Sequence, residues 1–390
     1  MQLICDLHLH TKYDIGCSKY MEIEQIAKFG KRKGIMLLST GSFTHKTYLE
    51  KLKRIFKIQQ EEDEFLFFDG VYFLPTTEVN NIFEEKNKKR RIHNLIIFSN
   101  LEECEQFNDR VEKNSYLGSD GRLCLKLNLQ ETLDIILSIK PNGLYIPAHI
   151  WTPWYGIFGS KSGFENLKEA FGKKENKIYA LETGLSSDPL MNFRCSWLDK
   201  KTLVSFSDAH SPENIGREAT IIEVKKPTFN EFFKAIKKKK IKTIEFFPQE
   251  GKYYASGCKK CAVLIKSKKI KNERCPICNK KITIGVLSRI DQVADRPVGY
   301  IPKNPQKFFY IVPLKKLISM VVGQNPKTKK IEEIYQKLIE NSTELDVLLN
   351  QKIENIKKVD VRLADAILLM RKNKLKLSPG YDGVFGQVKI

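Results

Sequence analysis

The sequence predicts an α/β fold whose strands close into a barrel, followed by a small metal-binding module and a helical region. Three observations predict it. Strand-like apolar runs alternate with helical patterns from residue 1 to about 247. Histidines and carboxylates recur at the ends of those runs, and a closed barrel brings all its strand ends to one mouth. Two Cys-x-x-Cys pairs then mark a separate unit.

The first element is the stretch Asp6-Leu7-His8-Leu9-His10, which follows apolar Leu3 and Ile4. Side chains on a strand alternate between faces, so Asp6, His8 and His10 share one face while Leu7 and Leu9 take the other. Three candidate ligands converge there, although an Asp-x-His pair also occurs as a hydrogen-bonded surface pair. A matching stretch, Ser205-Phe206-Ser207-Asp208-Ala209-His210, lies far along the chain. The six histidines are His8, His10, His45, His93, His149 and His210; the last 180 residues contain none. Expected strands cover 2–8, 35–40, 71–78, 92–98, 143–149, 178–183, 202–207, 219–224 and 241–247. Expected helices cover 21–33, 46–59, 101–113, 129–140, 163–172 and 228–240. Glu78 ends one apolar strand and His93 begins the next. The mixed His/carboxylate set His8, His10, His45, Glu78, His93, His149, Asp208 and His210 suits Zn, Mn or Fe and tolerates Mg. Paired divalent ions about 3.5–4 Å apart are a common means of hydrolysing phosphoesters. Asp208, with His210 and Glu78, is expected nearest the chemistry.

Residues 248–300 change character. Cys258, Cys261, Cys275 and Cys278 form two Cys-x-x-Cys pairs separated by residues 262–274. This spacing predicts one structural zinc held by four thiolates. The other cysteines are scattered, which excludes a secreted disulfide framework. Residues 301–390 read as mainly helical, closing on a glycine-rich tail whose Tyr381 and Phe385 are expected to dock. Net charge is +21, and residues 225–281 carry 18 basic against 4 acidic side chains. That concentration favours a polyanionic partner, although a Lys-rich composition also follows from an AT-rich genome. No stretch approaches the ~20 apolar residues of a membrane span, and no signal peptide is visible, so the cytoplasm is the expected location.

Together, the Asp6–His10 stretch, the His45 turn, Glu78, His93, His149 and Ser207–His210 resemble the PHP (polymerase and histidinol phosphatase) domain. Further segments narrow the likeness: 148–154, 158–164, 182–189, 207–212, 216–219, 250–253 and Gly380-Tyr381-Asp382-Gly383. With the cysteine pairs, they resemble the endonuclease Q family over essentially the whole chain. The resemblance implies a distorted (β/α)7 barrel at 1–247, a four-cysteine zinc module at 248–300 and a helical C-terminal region at 301–390. It implies divalent metals in the barrel (Zn, Mg or Mn) and hydrolysis of DNA, double- or single-stranded, on the 5′ side of uracil, hypoxanthine, xanthine or an abasic site. A replication clamp is a candidate partner protein.

The chain departs from the PHP pattern at Thr40-Gly41-Ser42-Phe43-Thr44-His45, where Ser42 stands in place of an expected acid. Asp14 is a weak candidate to compensate. Trp151 and Trp154 beside His149 are candidates to stack on bases, or else walls of the barrel mouth. Lys161 and Arg217 are candidate phosphate contacts, or else internally paired. Two functions compete with the endonuclease: a phosphoesterase acting on a small phosphate ester, and a DNA-binding scaffold with an inactive barrel.

Overall fold

Alternation along the first strand sets the architecture. In Gln2–Asp6, Leu3 and Cys5 turn inward and, with Leu7, join Leu37, Ile146, Val204 and Phe206 in one apolar cluster. The opposite face leads to Asp6, His8 and His10. The computed structural model describes residues 1–57, 63–265 and 273–390. Gln2–Asp6 pairs in parallel with Leu37–Ser39, and that strand in parallel with Val71–Leu74. The chain continues as Thr76–Glu85 and returns as Lys88–Ile97, which pairs with Leu144–Pro147. Ala180–Glu182 and Thr202–Val204 follow, parallel to each other. The ring closes where Leu9 bridges Ala209, the His10 N–H donating to the Ala209 carbonyl at 3.0 Å.

All nine expected strands and six expected helices are present. Of the expected helix 46–59, the structure shows Lys46–Ile55; residues 58 and 59 lie outside the described residues. Local signals set several helix ends. Asn128 and Glu131 form a reciprocal cap on Leu129–Ile139. Gly34, at φ 87°, ends Ile23–Lys33 in the left-handed conformation.

Strand direction departs from uniform parallel alternation. Thr76–Glu85 and Lys88–Ile97 form a long antiparallel hairpin, turned by Lys86 and Asn87 at φ 50° and 59°. Two consecutive positive φ values give the turn whose twist matches the strands it joins. The hairpin extends well past 78 because its tip, Glu84 to Arg91, is charged and reads as loop in the sequence. Ala219–Glu223 pairs antiparallel to the outer edge of Gln2–Asp6, followed by Ile241–Phe246. Phe308–Ile311 then adds in parallel to Ile241–Phe246. A strand from beyond the cysteine module thus completes the barrel's own sheet.

Cys258, Cys261, Cys275 and Cys278 bring their sulfurs within 4.8 Å of one another, over a small core that includes Ile265 and Ile282. The donor set fits a structural zinc. Lys266, Lys268, Lys269 and Lys271, part of the basic concentration, lie outside the described residues. The C-terminal region is helical at Leu314–Val322, Lys329–Ile339, Glu344–Leu349, Ile353–Lys357 and Val361–Arg371. The tail docks as expected: Gly380, Gly383 and Gly386 donate their N–H groups to the carbonyls of Gln249, Lys252 and Glu250. No helix among the described residues is long and apolar enough to cross a membrane.

Beneath the mouth, Glu218 and Glu245 are both fully buried, and burial raises both carboxyls above their ordinary range, Glu245 to about 8. Glu245 keeps a hydrogen bond from the Thr183 hydroxyl at 3.0 Å. A carboxyl raised on folding holds its proton while the unfolded chain has released it, so stability falls as pH rises from about 5 to about 8. Denaturant melts across that range should show this loss in the wild type. Glu245→Gln should flatten it and be the more stable protein above pH 8.

Candidate metal centre and active site

The side chains predicted to hold metal gather at one end of the barrel, around Glu78. This residue lies within Thr76–Glu85 rather than at a strand's end. Its Oε1 is 2.9 Å from His93 Nδ1, 3.0 Å from His149 Nε2 and 3.6 Å from His8 Nε2. Its Oε2 is 3.5 Å from His10 Nε2 and 2.6 Å from Arg122 Nε. Asp208 Oδ1 lies 3.1 Å from His10 Nε2 and 3.6 Å from both His8 Nε2 and His210 Nδ1. Two three-ligand groups result, His8/His10/Glu78 and Glu78/His93/His149, sharing the Glu78 carboxylate.

The chemistry of the donor set fits divalent cations. Among the described residues, His8 Nε2, His10 Nε2, His93 Nε2, Glu78 Oε2 and Asp208 Oδ1 are buried without a hydrogen-bond partner. Buried polar atoms are rarely left so, and metal coordination satisfies such atoms. Charge is balanced by proximity instead. Against the upward push of burial, Arg122, His93 and His8 hold the Glu78 carboxyl well below its usual range. Burial pushes His8 down, but Glu182, Asp208 and Glu78 together hold it well above its ordinary value. Burial takes His93 down to about 4, in the neutral form a metal requires.

A second layer aims the ligands. Glu182 receives His8 Nδ1 at 2.9 Å and the His149 backbone N–H at 2.7 Å. Thr152 Oγ1 meets His149 Nδ1 at 2.9 Å. Such partners fix the tautomer and orientation of a ligating ring. Ser42, His149 and Asp208 all occupy the left-handed region, at φ 42°, 31° and 49°, as strained residues at functional sites often do. Gly184 packs against His149 so closely that a Cβ there would lie 2.6 Å from the His149 Cβ.

Several expected placements are corrected. Asp6 is not a ligand. Its carboxylate accepts the Ser207 and Gly216 N–H groups at 2.9 and 2.8 Å, and so holds the loop carrying Asp208. His45 joins neither ligand group; its ring packs on Tyr13 with centroids 4.5 Å apart. Trp151 is fully buried and donates to Asn192 Oδ1 at 2.8 Å, a wall rather than a base contact. Lys161 pairs with Glu273 at 2.8 Å. The Arg217 guanidinium donates to the carbonyls of Ser207 and Asp208 and braces that turn. Trp154 remains partly exposed, edge-on to Tyr253 with centroids 5.0 Å apart.

The sequence reading also passed over residues the structure brings in. Glu182 ends an expected strand as an acid, a signal of the kind that singled out Glu78. Arg122 sits between irregular segments and carried no signal. Asp14 takes the place of the missing acid at Ser42. Asp14 Oδ2 accepts the Ser42 hydroxyl and the Thr11 N–H, and lies 3.3 Å from His10 Nδ1. A carboxylate thus reaches the ring from the first motif instead of the second.

The ligand groups floor a cavity of about 820 Å³. His93, His149, Asp208, His210 and Arg122 lie on one side of it; Trp154, Tyr155, Tyr253, Tyr254, Lys252 and Phe385 line the rest.

A family model described as PHP-associated matches residues 201–241, and one described as the MJ0043 C-terminal domain matches residues 313–374. The whole chain superposes on the crystal structure of the lesion-specific endonuclease PfuEndoQ from Pyrococcus furiosus. The TM-score is 0.89 at 32% identity, covering 100% of this chain and 96% of that one. The chain belongs to the endonuclease Q family. A structure of endonuclease Q with a 27-mer duplex substrate, an abasic lesion at its active site, matches equally: TM-score 0.89, 32% identity, 100% and 97% coverage. The protein MJ0043 of Methanocaldococcus jannaschii is 32% identical over 270 residues, 65% of this chain. The match spans about a third (34%) of that relative's length.

Asp14→Ala should weaken metal binding about 10–100-fold, the usual effect of losing a ring's outer partner, while His45→Ala should leave the number of bound ions unchanged. Calorimetric titration with Mn²⁺ checks both.

Proposed function

We propose that this protein is a metal-dependent endonuclease that cuts one DNA strand on the 5′ side of a damaged nucleotide, either a deaminated base (uracil, hypoxanthine or xanthine) or an abasic site. The observation that carries this reading is the set of unpartnered, buried ligand atoms on the floor of an aromatic and basic cavity. Family membership and the duplex-bound relative support it.

His8, His10, Glu78, His93, His149, Asp208 and His210 would hold the divalent ions, Zn, Mg or Mn. Such ions supply an activated water and neutralise charge on the phosphoryl oxygens. The chain's own groups do the rest. Asp208 faces three imidazoles, and burial notwithstanding, His8 and His10 keep its carboxyl ionised. Arg122 brings a fixed positive charge to the floor, where it meets a backbone phosphate. Trp154 and Tyr253 offer aromatic surface to a nucleotide held out of the stack. Extrusion costs a few kcal/mol, least for a mispaired, damaged or missing base, and so contributes selectivity. Lys252 lies over the rings of Tyr253 and Phe385 at the rim, where it suits the strand's backbone.

The competing functions lose support for stated reasons. A small phosphate ester has no use for walls built by the 251–254 segment and the C-terminal tail. An inactive barrel is disfavoured because Asp14 supplies the carboxylate that Ser42 lacks.

The test is a labelled duplex with one uracil, hypoxanthine or abasic site, incubated with Mg²⁺ or Mn²⁺ and read at single-nucleotide resolution. A single cut immediately 5′ of the lesion is expected, with the undamaged duplex intact. Asp208→Ala should reduce cutting to background while retaining DNA binding. Tight binding without cutting under any metal would favour the scaffold, and neither binding nor cutting would point to small esters.

A further inference from the structure

The segment after His10 brings a thiol to the metal centre. Cys17 Sγ and one ring nitrogen each from His10 and His210 all lie within 4.8 Å of one another. The three come from two segments tied by backbone hydrogen bonds. The Cys17 N–H donates to the Asp14 carbonyl at 3.3 Å, the Ser18 N–H to the His210 carbonyl at 2.8 Å, and the His10 N–H to the Ala209 carbonyl at 3.0 Å. His10 is 2% exposed and its Nε2 makes no hydrogen bond among the described residues. By contrast, Cys5 and Cys104 are buried and donate to the carbonyls of Thr220 and Asn100, while Cys17 is partly exposed.

We propose that Cys17, His10 and His210 form a subsite for a soft divalent cation, zinc above all, beside the hydrolytic centre. The inference rests on the reading of the barrel mouth as a metal centre. Thiolate and imidazole suit Zn²⁺, whereas Mg²⁺ takes oxygen ligands. Binding releases the thiol proton to solvent and forms the sulfur–metal bond, with no change of oxidation state. His10 also belongs to the group with His8 and Glu78, and its Nδ1 faces Asp14. One ring nitrogen serves one ion. A zinc ion taken by Cys17 therefore draws His10 from its neighbour, and excess zinc inhibits an enzyme running on Mg²⁺ or Mn²⁺.

The test uses the full-length protein with zinc kept in the four-cysteine module and the barrel stripped of metal, titrated with Co²⁺. Wild type is expected to develop a near-ultraviolet thiolate-to-cobalt band that Cys17→Ser lacks, that Zn²⁺ abolishes and that Mg²⁺ leaves intact. Zinc affinity at this subsite should fall at least about tenfold in Cys17→Ser, and zinc inhibition of Mn²⁺-supported nicking should be relieved. Cys17→Ala, with the fold checked by circular dichroism, serves as the second variant. If cobalt binds the barrel of wild type and variants with identical near-ultraviolet spectra, the subsite is refuted while the metal centre stands. If no cobalt binds outside the module, the metal centre is refuted and the subsite with it.

Discussion

A buried carboxylate needs compensation, and the Glu78 carboxylate governs the architecture of the mouth. Removing such a charge from water costs several kcal/mol unless partners surround it. Here the partners are Arg122 and four histidines, drawn from separate parts of the chain. Each must arrive at the same point, so each carrying segment must end at the same height. The barrel accomplishes this, and the long hairpin places Glu78 and His93 on neighbouring strands. The same concentration of donors lets one carboxylate serve two ligand groups.

Support for the centre is spread widely in sequence. Asp6 and Arg217 hold the Ser207–Asp208 turn from two sides, one through backbone N–H groups and the other through carbonyls. Glu182 ties His8 and the His149 backbone together. Neither Asp6 nor Arg217 is left available for metal or phosphate. The C-terminal tail reaches the same region by backbone bonds to residues 249–252, which sets Phe385 at the cavity rim beside Lys252. A change in the tail is therefore felt at the substrate side, far from the metal ligands.

Much of this was legible in the sequence because strand alternation is strict. His8 and His10 share a face by parity alone, and the apolar run before Asp208 and His210 repeats the pattern. The cysteine spacing identified the four-thiolate cluster for a similar reason: few other functions need it. What escaped the sequence depended on contacts between distant segments. Parity puts Asp6 on the ligand face, but only the fold shows the N–H groups that occupy it. Trp151 and Trp154 are chemically alike and three residues apart, yet one packs into the core and the other faces the cavity. The Ser42 position looked like a loss because the replacing carboxylate, Asp14, lies 28 residues earlier. The charged hairpin tip concealed the strands' length, since a polar alternation with no buried partner reads as loop.

The central claim is that Glu78 is the carboxylate shared by the barrel's metal ions. Metal content of the purified, full-length protein, wild type against Glu78→Gln, tests it most directly. The account predicts that wild type holds at least two divalent ions beyond the single zinc of the four-cysteine module, and that Glu78→Gln keeps that zinc but loses the others together. Full retention of the barrel ions in a folded Glu78→Gln protein would contradict it.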